Sequence, residues 1–273
     1  MSLTVDDSKL YTPEYRNYTL DLLTAEFLKD KRIAGAVLVG SGSFGFKDRY
    51  SDIDLAVLVG DEGRLDEVYS DWWGKVHAAF PVIDAFKEKP RRLYGFLLER
   101  FLELDMSFQG RSGLYEKDPQ WRVLFDKRGN IPSLMKPRPK PTEDQAAAHD
   151  KRMQDSWYHV LHCVNSMQRG QPLRASFFLS WLRDEAILMA GLNRGLRTET
   201  RSYFADTDQL PEDVKARICG CFQKNMRPTE LLRALKAVVG VYYDEAAQLD
   251  ARFGGNRATR LGAAMRDYLS AFG

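Results

Sequence analysis

The stretch from Ile33 to Val59 constrains the fold more than any other part of the chain. Residues 33–39 form a nearly unbroken apolar run, the pattern of a strand buried on both faces. Gly40-Ser41-Gly42-Ser43-Phe44-Gly45 follows, with small residues and exposed backbone N–H groups suited to a tight turn. From Ser51 the chain turns apolar again, now with two acids built in. Side-chain alternation predicts that Asp52 and Asp54 share one strand face, while Ile53, Leu55, Val57 and Val59 enter a core. Two carboxylates on one face repel each other and give a sheet nothing. A hard divalent cation such as Mg²⁺, which takes carboxylate and phosphate oxygens, turns that repulsion into binding. The competing reading is a pair of solvated acids at a strand start behind a flexible Gly/Ser loop.

Gly40-Ser41, ten intervening residues (42–51), and then Asp52-Ile53-Asp54-Leu55 resemble the signature of the DNA-polymerase-beta-like nucleotidyltransferase superfamily. The resemblance implies an α+β chain: an N-terminal domain with a mixed β-sheet flanked by helices, and a helical domain behind it. It also implies transfer of a nucleoside monophosphate from a nucleoside triphosphate, with ATP the expected donor and two Mg²⁺ ions held by acids including Asp52 and Asp54. Gly40, Ser41 and Gly42 would then anchor the phosphates. Phe44 stands where the family commonly has arginine, which leaves Lys47 and Arg49 as the candidate replacements.

The bulk numbers narrow the acceptor. A chain of 273 residues, 44% hydrophobic and 29% charged, has ample core for one large domain or two ordinary ones. Its net charge of only +2 projects no strong field, which argues for a small-molecule acceptor and against a long polyanion such as nucleic acid. Cys163, Cys219 and Cys221 are an odd set, read as free thiols in a reducing, cytoplasmic setting. Cys219-Gly220-Cys221 reads as a helical pair rather than a metal site. No apolar run reaches membrane-spanning length and no hydrophobic leader is read, so no membrane partner is expected.

In order, the first half reads as a helix from Pro13 to about Lys31, the two strands, and a helix from Asp61 to about Phe80 whose Trp72 and Trp73 are core residues. A short strand over 81–86 precedes a hairpin of 93–98 and 101–108 around Glu99-Arg100. In its second arm Leu102, Leu104 and Met106 share one face and Glu103, Asp105 and Ser107 the other. A mid-strand acid among apolar neighbours needs a partner. Here the chain resembles the aminoglycoside-modifying nucleotidyltransferases, and the resemblance implies that Asp105 is the third carboxylate, with Glu103 and then Asp84 as alternatives. Asp126, at the end of an apolar strand over 122–126, reads as a strand end and turn rather than a phosphatase-type nucleophile.

Lys136-Pro137-Arg138-Pro139-Lys140-Pro141 excludes helix and reads as a stiff connector. It divides the chain into a catalytic domain (1–135), a linker (136–141) and an all-α acceptor-binding domain (142–273). About five helices are expected there. One begins at Thr142-Glu143-Asp144-Gln145 and carries a stripe from Met153 to Met167; others span 172–192, start at Pro211 and at Pro228, and cover 258–271. His159 and His162, three apart without a third ligand, read as packing residues. Asp184 and Glu185 lie on an otherwise apolar helix, and so either meet a cationic acceptor or pair near Arg183. The family resemblance implies an aminoglycoside or lincosamide acceptor. Two alternatives stand beside it: the same chemistry on a protein or nucleic acid, and a non-catalytic nucleotide-binding regulator. The oligomeric state, monomer or homodimer, is left open.

Overall fold

The second strand is where the apolar pattern becomes architecture. Ile53, Leu55, Val57 and Val59 join one hydrophobic cluster and Ala56 and Leu58 join another, so this strand is buried on both sides beyond Asp54. The structure, a computed structural model, describes residues 6, 8–46, 48–113, 121–135, 144–196 and 207–272. Lys47 and the proline-rich connector at 136–141 lie outside the described residues. The chain divides into two units, Met1–Lys140 and Pro141–Gly273.

The first unit is a mixed sheet of six strands: β1 (Ile33–Leu38), β2 (Ile53–Val59), β3 (Val82–Glu88), β4 (Leu93–Leu98), β5 (Glu103–Gln109) and β6 (Arg122–Asp126). Their order is β3-β4-β5-β2-β1-β6. β2 and β5 run parallel, and every other pairing is antiparallel. Helices α1 (Pro13–Lys29) and α2 (Leu65–Ala79) cover one face. Leu20, Leu23 and Phe27 from α1 and Val68, Trp72 and Val76 from α2 meet Leu104, Met106 and Phe108 there. Trp72 is a fully buried core residue and Trp73 packs partly buried beside it. Asp30, just past α1, accepts from Arg32, Lys75 and Trp72 Nε1, and the Arg32 guanidinium holds its carboxyl far below the usual range.

On the opposite face the β1–β2 half is closed by the short helix α3 (Ile131–Leu134), whose Ile131 packs with Ala34, Val37, Ala56 and Leu58. Gly35 makes that closure possible, because a Cβ there would collide with the Ile131 side chain and the Phe125 carbonyl. The β5 half of this face carries Glu103, Asp105 and Ser107 instead.

The second unit is helical: α4 (Gln145–Met153), α5 (Ser156–Gln168), α6 (Pro172–Asn193), α7 (Glu212–Cys219), α8 (Pro228–Arg252) and α9 (Arg257–Ser270). The expected single helix through Met167 is two, with a break at Gln154-Asp155. The carbonyls of Arg152 and Met153 take hydrogen bonds from the Tyr242 hydroxyl (2.8 Å) and the Ser156 hydroxyl (3.3 Å) instead of helical amides. The unit therefore has six helices among the described residues rather than about five. Cys219 ends α7, and buried Cys221 follows it in a turn, so the pair is not helical throughout.

α6 and α8 form the core with Leu179, Leu182, Leu235, Val238 and Tyr242. Two acids are buried within it. Glu245 accepts from Arg194 and Asn193. Asp250 pairs with His149 at 2.7 Å and accepts from the Ala258 N–H in the first turn of α9. Removing Asp250 strands a buried histidine and a helix-end amide together. Asp250→Ala is expected to lose about 2–4 kcal/mol in urea unfolding followed by the helical signal. A change within about 0.5 kcal/mol would contradict this account of the helical core.

Candidate functional site

The Gly-Ser turn folds as a short 3₁₀ segment over Gly40–Phe44. Gly40 adopts φ +59°, and a Cβ on it would run into Oδ2 of Asp54. Glycine is required there both by backbone conformation and by the carboxylate pressed against it. Asp52 stands one residue ahead of β2 rather than inside it, and its Oδ1 accepts from the Ser41 hydroxyl at 3.4 Å. Ser43 closes the turn through its hydroxyl to the Gly40 carbonyl at 2.7 Å.

The parallel pairing of β2 with β5 sets Asp54 directly opposite Asp105. Register partners point their side chains to the same face of a sheet, about 4.8 Å apart at the backbone. On the far side, Gly95 of β4 is the register partner of Asp105. Asp105 is half-buried, and its Oδ1 is buried with no hydrogen-bond partner among the described residues. Burial, with the neighbouring charges of Glu103 and Asp52 adding to it, pushes the Asp105 carboxyl up to about 6. An acid kept this uncomfortable is a hallmark of a site that binds something.

Asp54 and Asp105 line a cavity of about 680 Å³ together with Ser107, Gln109, Arg91 and Arg92. That is the size range of small-ligand pockets. Glu62 closes one end, accepting from the Ser112 N–H at 2.8 Å and its hydroxyl at 3.0 Å. Arg92 is tied to Asp66 at 2.7 Å and Arg91 to Glu88 at 3.2 Å. Gly40, Ser41, Gly42 and Asp52 border the acids but do not line this cavity. Arg49 stacks near Tyr50 and does not line it either. The alternatives to Asp105 are placed as follows: Glu103 is exposed two residues along β5, and Asp84 and Glu103 line a smaller cavity of about 260 Å³ beside Phe86 and Gly95.

The donor set consists of hard oxygens, which suits Mg²⁺, and the Oδ1 of Asp105 has no hydrogen bond competing for it among the described residues. By residue type, and with Asp54 and Asp105 register partners on one sheet face, these acids are of the kind a divalent cation takes. As placed, no group of three His, Cys, Asp or Glu side chains among the described residues is close enough to cage an ion.

The other sequence candidates sit in the second unit. Glu185 is half-buried and lies 3.1 Å from Arg152, so it is engaged in an ion pair. Burial raises its carboxyl, and Arg152 opposes that shift. Asp184 is partly buried, also raised by burial, and Arg183 stacks over Phe222 at 4.1 Å. His159 stacks on Trp181 at 3.5 Å and His162 lies against Tyr158 at 3.9 Å, as packing residues do. Sequence reasoning missed Arg91, Arg92, Ser107 and Gln109 as neighbours of the acids. Alternation along β5 does place Ser107 on the Asp105 face, but nothing local signals the two arginines.

No protein-family model matches the chain, and no curated protein matches it. Two solved structures are similar to it in outline. An aminoglycoside 6-adenyltransferase from Bacillus subtilis is 14% identical, with 91% of this chain and 96% of that chain covered, at a TM-score of 0.42. A nucleotidyltransferase-like protein from Exiguobacterium sibiricum is 9% identical, with 86% and 77% covered, at a TM-score of 0.37. No helix among the described residues is long and apolar enough to cross a membrane.

The raised Asp105 carboxyl makes a stability prediction. A carboxyl whose folded-state value lies near 6, above its ordinary 3.8, favours the fold fully below about pH 4 and loses that contribution as pH rises through 6. Asp105→Asn is therefore expected to stabilise the metal-free protein by about 1–2 kcal/mol at pH 7.5, after allowance for water access. The gain should vanish by about pH 4. Thermal unfolding at the two pH values checks it, and equal midpoints for variant and parent at pH 7.5 would contradict it.

Proposed function

We propose that the chain is a nucleotidyltransferase that moves a nucleoside monophosphate, with ATP the expected donor, onto a hydroxyl of a small molecule. The observation that carries this reading is the side-by-side placement of Asp54 and Asp105 on parallel strands, facing one cavity, with a buried carboxylate oxygen left unpartnered. A structural sheet has no use for such a pair. A triphosphate site does.

In this reading Asp52, Asp54 and Asp105 hold Mg²⁺. When bound, the ions supply charge neutralisation at the phosphates and acidify the acceptor hydroxyl. The chain's own residues do the remaining work. Ser41 and the amides of the Gly40–Gly42 turn anchor phosphate oxygens beside Asp52. The acceptor oxygen attacks the α-phosphorus: that P–O bond forms as the bond to the bridging oxygen breaks, and its electron pair leaves with pyrophosphate. The hydroxyl proton passes to the Asp105 carboxylate, within the same cavity, and then to water. Positioning and electrostatics supply most of the rate.

The absence of a strong net charge supports a small acceptor, and aminoglycosides and lincosamides are the compounds to screen first. Pyrophosphate release with ATP, GTP and CTP plus Mg²⁺ tests the proposal. Asp52→Ala and Asp54→Ala are expected to lower it at least about a hundredfold while melting cooperatively near the parent. Turnover retained in either variant would end this assignment.

A further inference from the structure

Helix α1 presents one buried face, and position 16 breaks its pattern. Arg16, Leu20, Leu23 and Phe27 recur at helical spacing and are all buried, with Arg16 only 3% exposed. An apolar side chain would satisfy this stripe at less cost, because a guanidinium is expensive to desolvate and needs partners. Arg16 finds two. Its Nη1 donates to the carbonyl of Asp48 at 3.0 Å and to the carbonyl of Ser51 at 2.9 Å. Its guanidinium lies 3.9 Å over the Phe46 ring, while its Nε is buried without a partner. The Tyr11 hydroxyl gives the Ser51 carbonyl a second hydrogen bond at 3.2 Å. The Asp48 carboxylate in turn accepts from Tyr50 N–H at 2.8 Å and the Ser51 hydroxyl at 3.2 Å.

The Ser51 carbonyl belongs to the peptide bond that enters Asp52. Two donors on that oxygen fix the peptide plane, and with it the direction in which the Asp52 side chain leaves the backbone. Asp52 needs this help. It precedes β2, so no strand ladder orients it as the β2–β5 pairing orients Asp54. We propose that Arg16 is a positioning residue that, with Tyr11, holds residues 48–51 so that Asp52 joins Asp54 and Asp105 as a cation ligand. The inference rests on the nucleotidyltransferase reading of those three acids. It adds an electrostatic clamp, built from the first helix, to a site formed by the sheet.

The test uses the full chain and Mn²⁺ as the probe, titrated by electron paramagnetic resonance without nucleotide, beside thermal unfolding and steady-state kinetics. Arg16→Met fills the same space with an apolar chain and is expected to melt at or above the parent temperature. Its Mn²⁺ affinity should nevertheless fall about tenfold or more, with a matching loss in kcat and little change in acceptor KM. Arg16→Lys, which keeps one charged donor, should recover part of both. Tyr11→Phe removes one donor without opening a hole and should shift Mn²⁺ affinity the same way by a smaller factor. If Arg16→Met does not fold, Arg16→Lys and Tyr11→Phe decide the matter. Unchanged Mn²⁺ affinity in the folded variants, with the parent binding normally, overturns the clamp and leaves the acid site standing. A parent that binds no Mn²⁺ overturns the acid site, and the clamp goes with it.

Discussion

The structure depends on one pairing: β2 alongside β5, parallel and in register from Ile53–Leu104 to Leu58–Gln109. It joins a strand near residue 55 to one near 105 in the middle of the sheet, and it makes a single core of what would otherwise be two hairpin-like pieces. The same register that stacks Leu55 by Met106 and Val57 by Phe108 also sets Asp54 beside Asp105. β5 specifies the pairing strongly, since a one-residue slip would turn its buried Leu104, Met106 and Phe108 to the open face. The acids are carried into proximity by that apolar preference, which sets Asp54 and Asp105 side by side.

The cost is local and visible. Asp105 has a buried oxygen without a donor and a carboxyl pushed up to about 6. Elsewhere ordinary rules are obeyed: Asp30, Asp126, Asp250 and Glu245 are all acids with ample donors. The contrast separates acids that the fold satisfies from Asp105, which it does not. Gly40 tells the same story from the backbone side, with a left-handed residue where Asp54 leaves room for nothing larger.

Much of this was legible in the sequence because it is local. Alternation in 102–108 assigns core and open faces residue by residue, the apolar run over 33–39 marks a strand buried on both faces, and the glycine-serine turn announces itself by composition. Long-range features were not legible. Nothing in the chain states that β5 docks parallel on β2, so the Asp54–Asp105 juxtaposition came only from family resemblance. The break at 154–155 was hidden because hydrophobic periodicity runs through it, and the freed carbonyls are taken by the nearby Ser156 hydroxyl and by Tyr242 and Arg257, which packing brings there. Arg16 did carry a signal, a cation on an apolar helical stripe, but its partners are loop carbonyls that no pattern reveals. Glu185 shows the reverse: a charge that looked available for a ligand is engaged with Arg152.

The central claim is that Asp54 and Asp105, with Asp52 beside them, form a divalent-cation site serving a nucleoside triphosphate. An anomalous difference map from crystals grown with Mn²⁺ and a non-hydrolysable ATP analogue tests it most directly. The account predicts a metal peak bridging the carboxylates of Asp54 and Asp105, with phosphate oxygens completing its shell. A well-bound nucleotide whose metal lies elsewhere, with these two carboxylates uncoordinated, would contradict it.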